Sequence, residues 1–246
     1  AIMAVSVACW RVLNESIKDM QLKVQCSAGH SLGEYTSLVI SGVINYSDGL
    51  KLVQERGRLM HDASIARPGT MAAIIGLSEQ DADIVCKQTG AEIANINSSD
   101  QIVISGDLAC VTDAVKVASD MGARKVIDLP VSGAFHSSLM EYASEGLSKV
   151  LDEIEFCDSD VPIIANSTGL PMNNADEIKQ ELLNGLCSCV QWKDSIQYMV
   201  NSGVNNFIEF GPSRVLSSLI KRINKEVTVD SISSVKTLEQ FVDSHS

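Results

Sequence analysis

The stretch SAGHSLGEYTSLV, residues 27–39, joins an apolar run to a segment with helical spacing of its apolar residues. The run before it, LKVQCSA (22–28), is typical of a short buried strand. Ser31 stands between Gly29 and Gly33 in the pattern G-x-S-x-G, which between a strand and a helix predicts a sharp turn that exposes a nucleophilic serine. A serine that only caps the following helix is the alternative.

The two glycines and the helix start give this turn its expected chemistry. We expect that a side chain at Gly29 or Gly33 would clash with the neighbouring strand and helix. The backbone N–H of Leu32 would lie at a helix N-terminus, where the helix dipole favours an oxyanion. Leu32 is therefore the candidate oxyanion donor.

A nucleophilic serine needs a base, and the chain has four histidines. His245 lies in a polar tail and is expected to be solvated, and His61 lies among charged helix residues and is expected at the surface. His30 adjoins Ser31, and neighbours in a tight turn usually point apart. His136, in PVSGAFHSSLM, follows a predicted strand, where open α/β sheets build their sites. His136 is the favoured base, with a structural loop histidine as the alternative.

Composition limits the classes of partner and the cellular compartment. The 246 residues carry a net charge of -12, which disfavours nucleic acid and anionic membranes as partners. The apolar start AIMAVSVACW is too short to span a bilayer. Seven cysteines without a CxxC pair, and scattered histidines, give no metal-binding spacing and favour reduced thiols in a cytoplasmic protein.

The order of predicted elements indicates an α/β protein with an insert. Residues 71–131 read as β-α-β-β-α-β, the order of a ferredoxin-like unit, and alternating strands and helices resume afterwards. Ser47 and Ser78 are predicted helix N-caps. NNFIEF (205–210) is the last predicted strand, and the polar tail after Asp230 is expected to fray.

Several motifs together resemble the malonyl-CoA:acyl-carrier-protein transacylases of type II fatty acid synthesis and the related acyltransferase domains of polyketide synthases. In chain order they are GHSLGEYTSLV, VQERGRLM, GTMAAIIGL, NSSDQIVISG, LPVSGAFHSSLM, VQW and FIEFGPSRVLSSLIKRI. The resemblance implies an α/β-hydrolase-like core with a parallel sheet, formed by residues 1–69 and 132–246, and a ferredoxin-like insert at 70–131.

The same resemblance implies roles for individual residues. Ser31 matches the acylated nucleophile, His136 its base, and Arg56, in QERGRLM, the arginine that binds the malonyl carboxylate. Without the family, Arg56 reads as a solvated helix residue. Phe135 matches the position associated with the choice of malonyl over methylmalonyl groups, and His30 is expected to contact substrate.

The chain also departs from the family pattern. Family members begin with a strand and a loop whose glutamine gives a second oxyanion donor, and this sequence starts at the following helix, so we expect that segment to be lacking. Gly185 stands where the family often has the glutamine whose backbone carbonyl orients the histidine. Cys189 replaces the usual proline.

The resemblance implies ping-pong transfer of a malonyl group from malonyl-CoA to acyl carrier protein through malonyl-Ser31, in fatty acid biosynthesis and without a cofactor. The alternatives are a polyketide-type acyltransferase, a serine thioesterase or hydrolase, and an inactive, truncated paralogue that binds carrier protein.

Because carrier proteins are acidic, docking needs a local basic surface. The helix in GPSRVLSSLIKRINKE is the candidate, with Arg214, Lys221 and Lys225 on one face and Arg222 beside them. A solvated face is the alternative. The residues expected to face the core are Val215, Leu216, Leu219, Ile220 and Ile223.

Overall fold

The structure is a computed structural model that describes residues 1–16 and 23–245. Its helices are α1 (Ile2–Ser16), α2 (Leu32–Ile40), α3 (Tyr46–Ala66), α4 (Glu79–Thr89), α5 (Leu108–Asp120), α6 (Glu141–Asp152), α7 (Ala175–Asn184), α8 (Trp192–Asn201), α9 (Val215–Ile223) and α10 (Val235–His245). Its strands are β1 (Ser27–Ala28), β2 (Gly69–Ile75), β3 (Glu92–Ser98), β4 (Gln101–Asp107), β5 (Lys125–Asp128), β6 (Ile163–Ile164), β7 (Pro171–Met172), β8 (Asn206–Phe210) and β9 (Thr228–Ile232). A 3-10 turn, Ser138–Met140, precedes α6. In the described part of the chain, no helix is both long and apolar enough to cross a bilayer.

The insert has the predicted order of elements, β2-α4-β3-β4-α5-β5, and its strands pair antiparallel in the order β3-β4-β2-β5. Side chains alternate along β2, as strand geometry requires. Ala72 and Ile74 pack with buried residues of α4 and α5, whereas Met71 and Ala73 pack on the opposite face with Phe135. The insert therefore places one face of its sheet against the loop that holds His136. The domain boundaries at 69 and 132 stay a prediction.

The larger part of the fold contains the parallel pairs. β1 pairs parallel with β6, β6 pairs antiparallel with β7, and β8 pairs parallel with β9. Strands β1 and β6 are both shorter than predicted, since the ladder between them joins only Ser27 to Ile163 and Ala28 to Ile164. Ser27 N–H donates to the carbonyl of Pro162, which has no N–H to extend the ladder. Leu22, in the predicted strand, lies outside the described residues.

The C-terminal tail does not fray as expected. β9 pairs parallel with β8. Leu238 and Phe241 of α10 pack in a cluster with Leu13 and Ile232. His245 is exposed, as expected, and its ring stacks on Phe241 with the ring centroids 4.2 Å apart. The prediction of a fraying tail was wrong because a few apolar residues at helical spacing, here Leu238, Phe241 and Val242, are enough to bury one face of a helix.

The predicted helix caps are correct at one position and wrong at another. Ser78 caps α4 by accepting a hydrogen bond from the Asp81 backbone N–H at 3.1 Å. Ser47 lies inside α3, whose N-cap is Asn45. The Asn45 side chain accepts from the Asp48 N–H at 3.0 Å, so the helix begins two residues earlier than a Ser47 cap would place it.

Candidate active site

The serine turn lies between β1 and α2 with a strained backbone. Ser31 has φ 51° and ψ -104°, a conformation that a non-glycine residue rarely adopts. Its side chain makes no capping hydrogen bond, so the alternative of a helix-capping serine is not supported. A Cβ at Gly29 would lie 2.0 Å from the Gly33 backbone carbon, which confirms the need for glycine there. A Cβ at Gly33 would meet nothing within 4 Å, so the clash expected there was wrong.

Ser31 and His136 are in hydrogen-bond contact although 105 positions separate them. Ser31 Oγ lies 2.8 Å from His136 Nε2, and His136 Nδ1 lies 2.8 Å from the carbonyl oxygen of Gly185. A carbonyl can only accept a hydrogen bond, so Nδ1 carries the proton and Nε2 is free to accept from the Ser31 hydroxyl. The Ser188 carbonyl, which sequence analysis did not identify, lies 3.2 Å from the same Nδ1.

The surroundings of His136 keep its imidazole neutral. Burial, followed by the positive charge of Arg56 and the nearby His30, lowers the pKa of His136 to about 3. A neutral imidazole is the form that can take a proton from a hydroxyl. This histidine is thus ready to act as a base at neutral pH.

Arg56 lies beside the nucleophile and is not the solvated residue that its helix position indicated. Its side chain, 7% exposed, extends from α3 and donates from Nη2 to Ser31 Oγ at 2.9 Å. Its guanidinium carbon lies 5.1 Å from the centre of the Tyr35 ring. Among the described residues, the buried Nε has no hydrogen-bond partner. Because a guanidinium binds carboxylates through paired N–H donors, this arrangement suits an acidic ligand.

The dyad and the arginine open onto one cavity of about 460 Å³. Its size is within the range typical of small-molecule sites. Phe135 and Met71 contribute to its apolar wall, so both the histidine loop and the insert line it. His61 is exposed, as expected, and also lines this cavity. No Asp or Glu is among the described lining residues, so the cavity favours an anionic group.

The remaining predicted site residues are close to the dyad. His30 lines the cavity, and its Nε2 lies 2.9 Å from Asn97 Oδ1, so this nitrogen is already paired. Burial lowers the pKa of His30, and its ring centroid lies 5.5 Å from that of Trp192. Leu32 is the first residue of α2, at the end where helix N–H groups lack intrahelical partners.

A buried polar cluster that the residue patterns did not predict lies behind Ser31. Asn166 Oδ1 accepts a hydrogen bond from Ser31 N–H at 2.7 Å, and Asn166 Nδ2 donates to the Gly29 carbonyl and to Glu34 Oε1. Burial, followed by the nearby Glu181, raises the pKa of Glu34 to about 8. The only available signal was the unusual glutamate within an otherwise apolar helix start.

The basic residues of α9 lie apart from this cavity. Lys221 Nζ donates to the Val227 carbonyl at 2.5 Å, and Arg222 Nη1 donates to Gln101 Oε1 at 2.9 Å. Arg214 is the N-cap residue of α9, and Lys225 follows the helix and is exposed. The core-facing stripe was wrong at Val215, which is 59% exposed because it begins the helix, where the packed stripe has not yet started.

The sequence and the fold of this chain are both similar to those of known proteins. Residues 1–241 match the acyl transferase domain. The chain is 39% identical over 230 residues to the malonyl CoA-acyl carrier protein transacylase of Bacillus subtilis, covering 92% of this chain and 73% of that protein. The crystal structure of acyl-carrier-protein-S-malonyltransferase from Bartonella henselae is similar with a TM-score of 0.92 and 36% identity, covering 98% of this chain and 78% of that one.

A further solved structure is a malonyl-transacylase in complex with a type II PKS acyl-carrier protein. It is similar with a TM-score of 0.93 and 33% identity, and the match covers 98% of this chain and 79% of that one.

Proposed function

Since this chain belongs to the acyl transferase domain family, we propose that Ser31, His136 and Arg56 carry out its reaction, the transfer of a malonyl group from malonyl-CoA to the phosphopantetheine thiol of acyl carrier protein. The observation that carries this assignment is the convergence on Ser31 Oγ. His136 Nε2 lies 2.8 Å from that oxygen and Arg56 Nη2 lies 2.9 Å from it. Base, nucleophile and carboxylate-binding cation thus share one cavity.

In the first half-reaction, His136 Nε2 takes the proton of the Ser31 hydroxyl as Oγ attacks the thioester carbon of malonyl-CoA. The resulting oxyanion is bound by the N–H of Leu32 at the positive end of α2. When the tetrahedral intermediate collapses, the carbon–sulfur bond breaks, and the CoA sulfur takes the proton from His136. Malonyl-Ser31 and free CoA remain.

The second half-reaction reverses these roles. The phosphopantetheine thiol gives its proton to His136, and its sulfur attacks the ester carbon of malonyl-Ser31. The carbon–oxygen bond breaks, and Ser31 recovers its proton from His136. Because an acyl group only moves between two nucleophiles, no electrons are gained or lost and the reaction requires no cofactor. The carbonyls of Gly185 and Ser188 hold Nδ1 of His136 through both halves.

Arg56 and Phe135 select the acyl group. The carboxylate of malonyl accepts paired hydrogen bonds from the Arg56 guanidinium, which lines the cavity. The ring of Phe135, in the cavity wall, crowds an α-methyl branch and so favours malonyl over methylmalonyl. His30 contributes to the same wall while its Nε2 stays paired with Asn97.

The pathway is fatty acid biosynthesis, and the polyketide-type acyltransferase is the second candidate because a similar solved structure contains a type II PKS acyl-carrier protein. Both pathways use the same chemistry at Ser31. The serine-hydrolase alternative differs in its acceptor, since a hydrolase releases free malonate when no thiol is present. The free state of all seven cysteines supports a reducing, cytoplasmic location.

Intact-protein mass spectrometry after incubation with malonyl-CoA tests the nucleophile. The parent protein is expected to gain one malonyl group, and Ser31→Ala to gain none. Ser132→Ala is the matched control, because Ser132 also lines the cavity and has no hydrogen bond to His136. Ser132→Ala should acylate like the parent. An undiminished adduct in Ser31→Ala would contradict the assignment, and failure of the parent to acylate would favour the inactive paralogue.

A further inference from the structure

The backbone of Ser31 needs an external restraint. Its φ of 51° and ψ of -104° lie outside the regions that non-glycine residues favour, so the surrounding structure must hold this conformation. Its neighbours Gly33 and Glu34 donate backbone hydrogen bonds to the carbonyls of His30 and Ser31. The N–H of Ser31 itself donates to the side chain of Asn166, which lies 135 positions away.

Asn166 is held in a single orientation. It follows β6 and is 4% exposed. Its Oδ1 accepts from Ser31 N–H at 2.7 Å, while its Nδ2 donates to the Gly29 carbonyl at 2.7 Å and to Glu34 Oε1 at 2.9 Å. A flipped amide would turn NH₂ toward the Ser31 N–H, leaving two donors face to face. The acceptors on Gly29 and Glu34 therefore determine that Oδ1 points at Ser31.

Glu34 is the group that orients this amide. Its carboxyl, on the first turn of α2 and 3% exposed, accepts from both the backbone N–H and the side-chain Nδ2 of Asn166 through Oε1. It also lines a small cavity of about 10 Å³ behind the nucleophile, together with Ser31 and His136. The raised pKa of Glu34 means that the carboxyl is largely neutral at pH 7. Its carbonyl oxygen still accepts both hydrogen bonds in that form.

We propose that Asn166 and Glu34 are positioning residues that hold the Ser31 hydroxyl in line with His136 through the Ser31 backbone, without contacting substrate. The inference rests on the proposed function only in taking Ser31 as the nucleophile. A displacement of about 1 Å at a reacting group costs roughly 100-fold in rate. What the site requires of residue 34 is a hydrogen-bond acceptor, which glutamine supplies as well as a neutral carboxyl does.

The test compares Glu34→Ala with Glu34→Gln in the full chain. We expect Glu34→Ala to lower the single-turnover acylation rate about 100-fold and Glu34→Gln to stay within about threefold of the parent. The KM for malonyl-CoA should change less than about threefold in both, because neither residue contacts substrate. Equal loss in both variants would show that charge is needed and overturn the proposal, as would parent-like rates in Glu34→Ala or a change confined to KM.

Glu209→Ala is the matched control for burial. Glu209 is 9% exposed and accepts from the backbone N–H groups of Leu216 and Ser217, away from the cavity. It should lower Tm while the acylation rate, measured well below Tm, stays within about threefold of the parent. If Glu209→Ala slowed acylation as much as Glu34→Ala, general destabilisation would explain both results and the proposal would be wrong.

A second assay distinguishes failure of the positioning role from failure of the proposed function. Labelling of Ser31 by a fluorophosphonate reports its reactivity without malonyl-CoA. A parent that labels but takes no malonyl group would contradict the proposed function, while the labelling rates of the Glu34 variants still decide the positioning role. Asn166→Asp, which keeps the acceptor and loses both donors, should label at least tenfold more slowly. Parent-like labelling of this variant would overturn the role of Asn166.

Discussion

Replacing Arg56 by alanine is expected to convert the protein from a malonyl-selective acyltransferase into a slow and unselective one. The guanidinium is buried, lines the cavity and donates from Nη2 to Ser31 Oγ. Malonyl-CoA carries a carboxylate that can use these donors, and acetyl-CoA does not. Comparing the rates with the two substrates therefore distinguishes loss of carboxylate binding from the other effects of the substitution.

The magnitude follows from the hydrogen bonds lost. A hydrogen bond to a charged group contributes about 1.5–3 kcal/mol, so losing a paired contact to the carboxylate costs at least about 3 kcal/mol. At about 1.4 kcal/mol for each factor of ten, this is roughly 100-fold or more in kcat/KM for malonyl-CoA. The loss of the Arg56–Ser31 hydrogen bond is common to both substrates, so it cancels in the ratio of their kcat/KM values, and that ratio reports the carboxylate contact.

The assay is single-turnover acylation of the protein by each acyl-CoA, followed by intact mass. Arg56→Lys keeps the charge but not the fork of N–H donors, and its selectivity should fall between those of the parent and of the alanine variant. Arg58→Ala is the matched control on the same helix, because Arg58 is exposed and, among the described residues, forms ion pairs with Glu55 and Asp62. It should leave both rates unchanged.

Equal loss of kcat/KM for malonyl-CoA and acetyl-CoA in Arg56→Ala would refute this reasoning. Arg56 would then support the position of Ser31 without recognising the carboxylate. A selectivity ratio that changes equally in Arg58→Ala would also refute it, because the effect would come from the net charge of the helix.

The remaining predictions concern the base and the partner. His136→Ala should slow acylation by at least about 100-fold, and a rate near that of the parent would identify another base. Because the pKa of His136 is about 3, kcat/KM should stay nearly constant from pH 7 to pH 5, whereas a base at 6.5 would lose roughly 30-fold and give a clear titration near pH 6.5. The same depressed pKa lowers stability as pH falls from 6.5 toward 3, because the unfolded chain binds that proton first, and urea unfolding across this window measures it. Reversing Lys221 and Lys225 to Glu should slow transfer to acyl carrier protein at low salt and spare acylation by malonyl-CoA, and unchanged transfer would exclude α9 as the docking surface.

Three predictions came from local sequence pattern because their causes are local. The turn at Ser31 was predicted since glycine, serine and the change from strand to helix spacing all lie within a few residues. The order of elements in the insert was predicted in the same way, from runs of alternating and helical spacing. Ser78 was identified as a cap because its partner lies three residues ahead.

Residue patterns alone gave wrong predictions where segments distant in the chain determine how buried a residue is. Arg56 looks like a solvated helix residue from its neighbours, and only the family resemblance drew attention to it before packing of α3 placed it against Ser31. α10 looked like a fraying tail because part of the surface that buries its apolar face comes from Leu13 of α1, far away in the chain. Gly33 looked sterically required, and the packing around it leaves open space instead.

The residue pattern predicted the serine turn, a favoured base and the order of the elements, because each of these predictions uses residue types within short segments. The proton position on His136 could come only from the folded chain, since it depends on the Gly185 carbonyl 49 positions away. The tertiary structure also decided that Asn166 holds Ser31 and that Glu34 orients Asn166. Hydrogen bonds of this kind join groups that are far apart in the chain. Their contact depends on how the strands and helices pack, which no local residue pattern specifies.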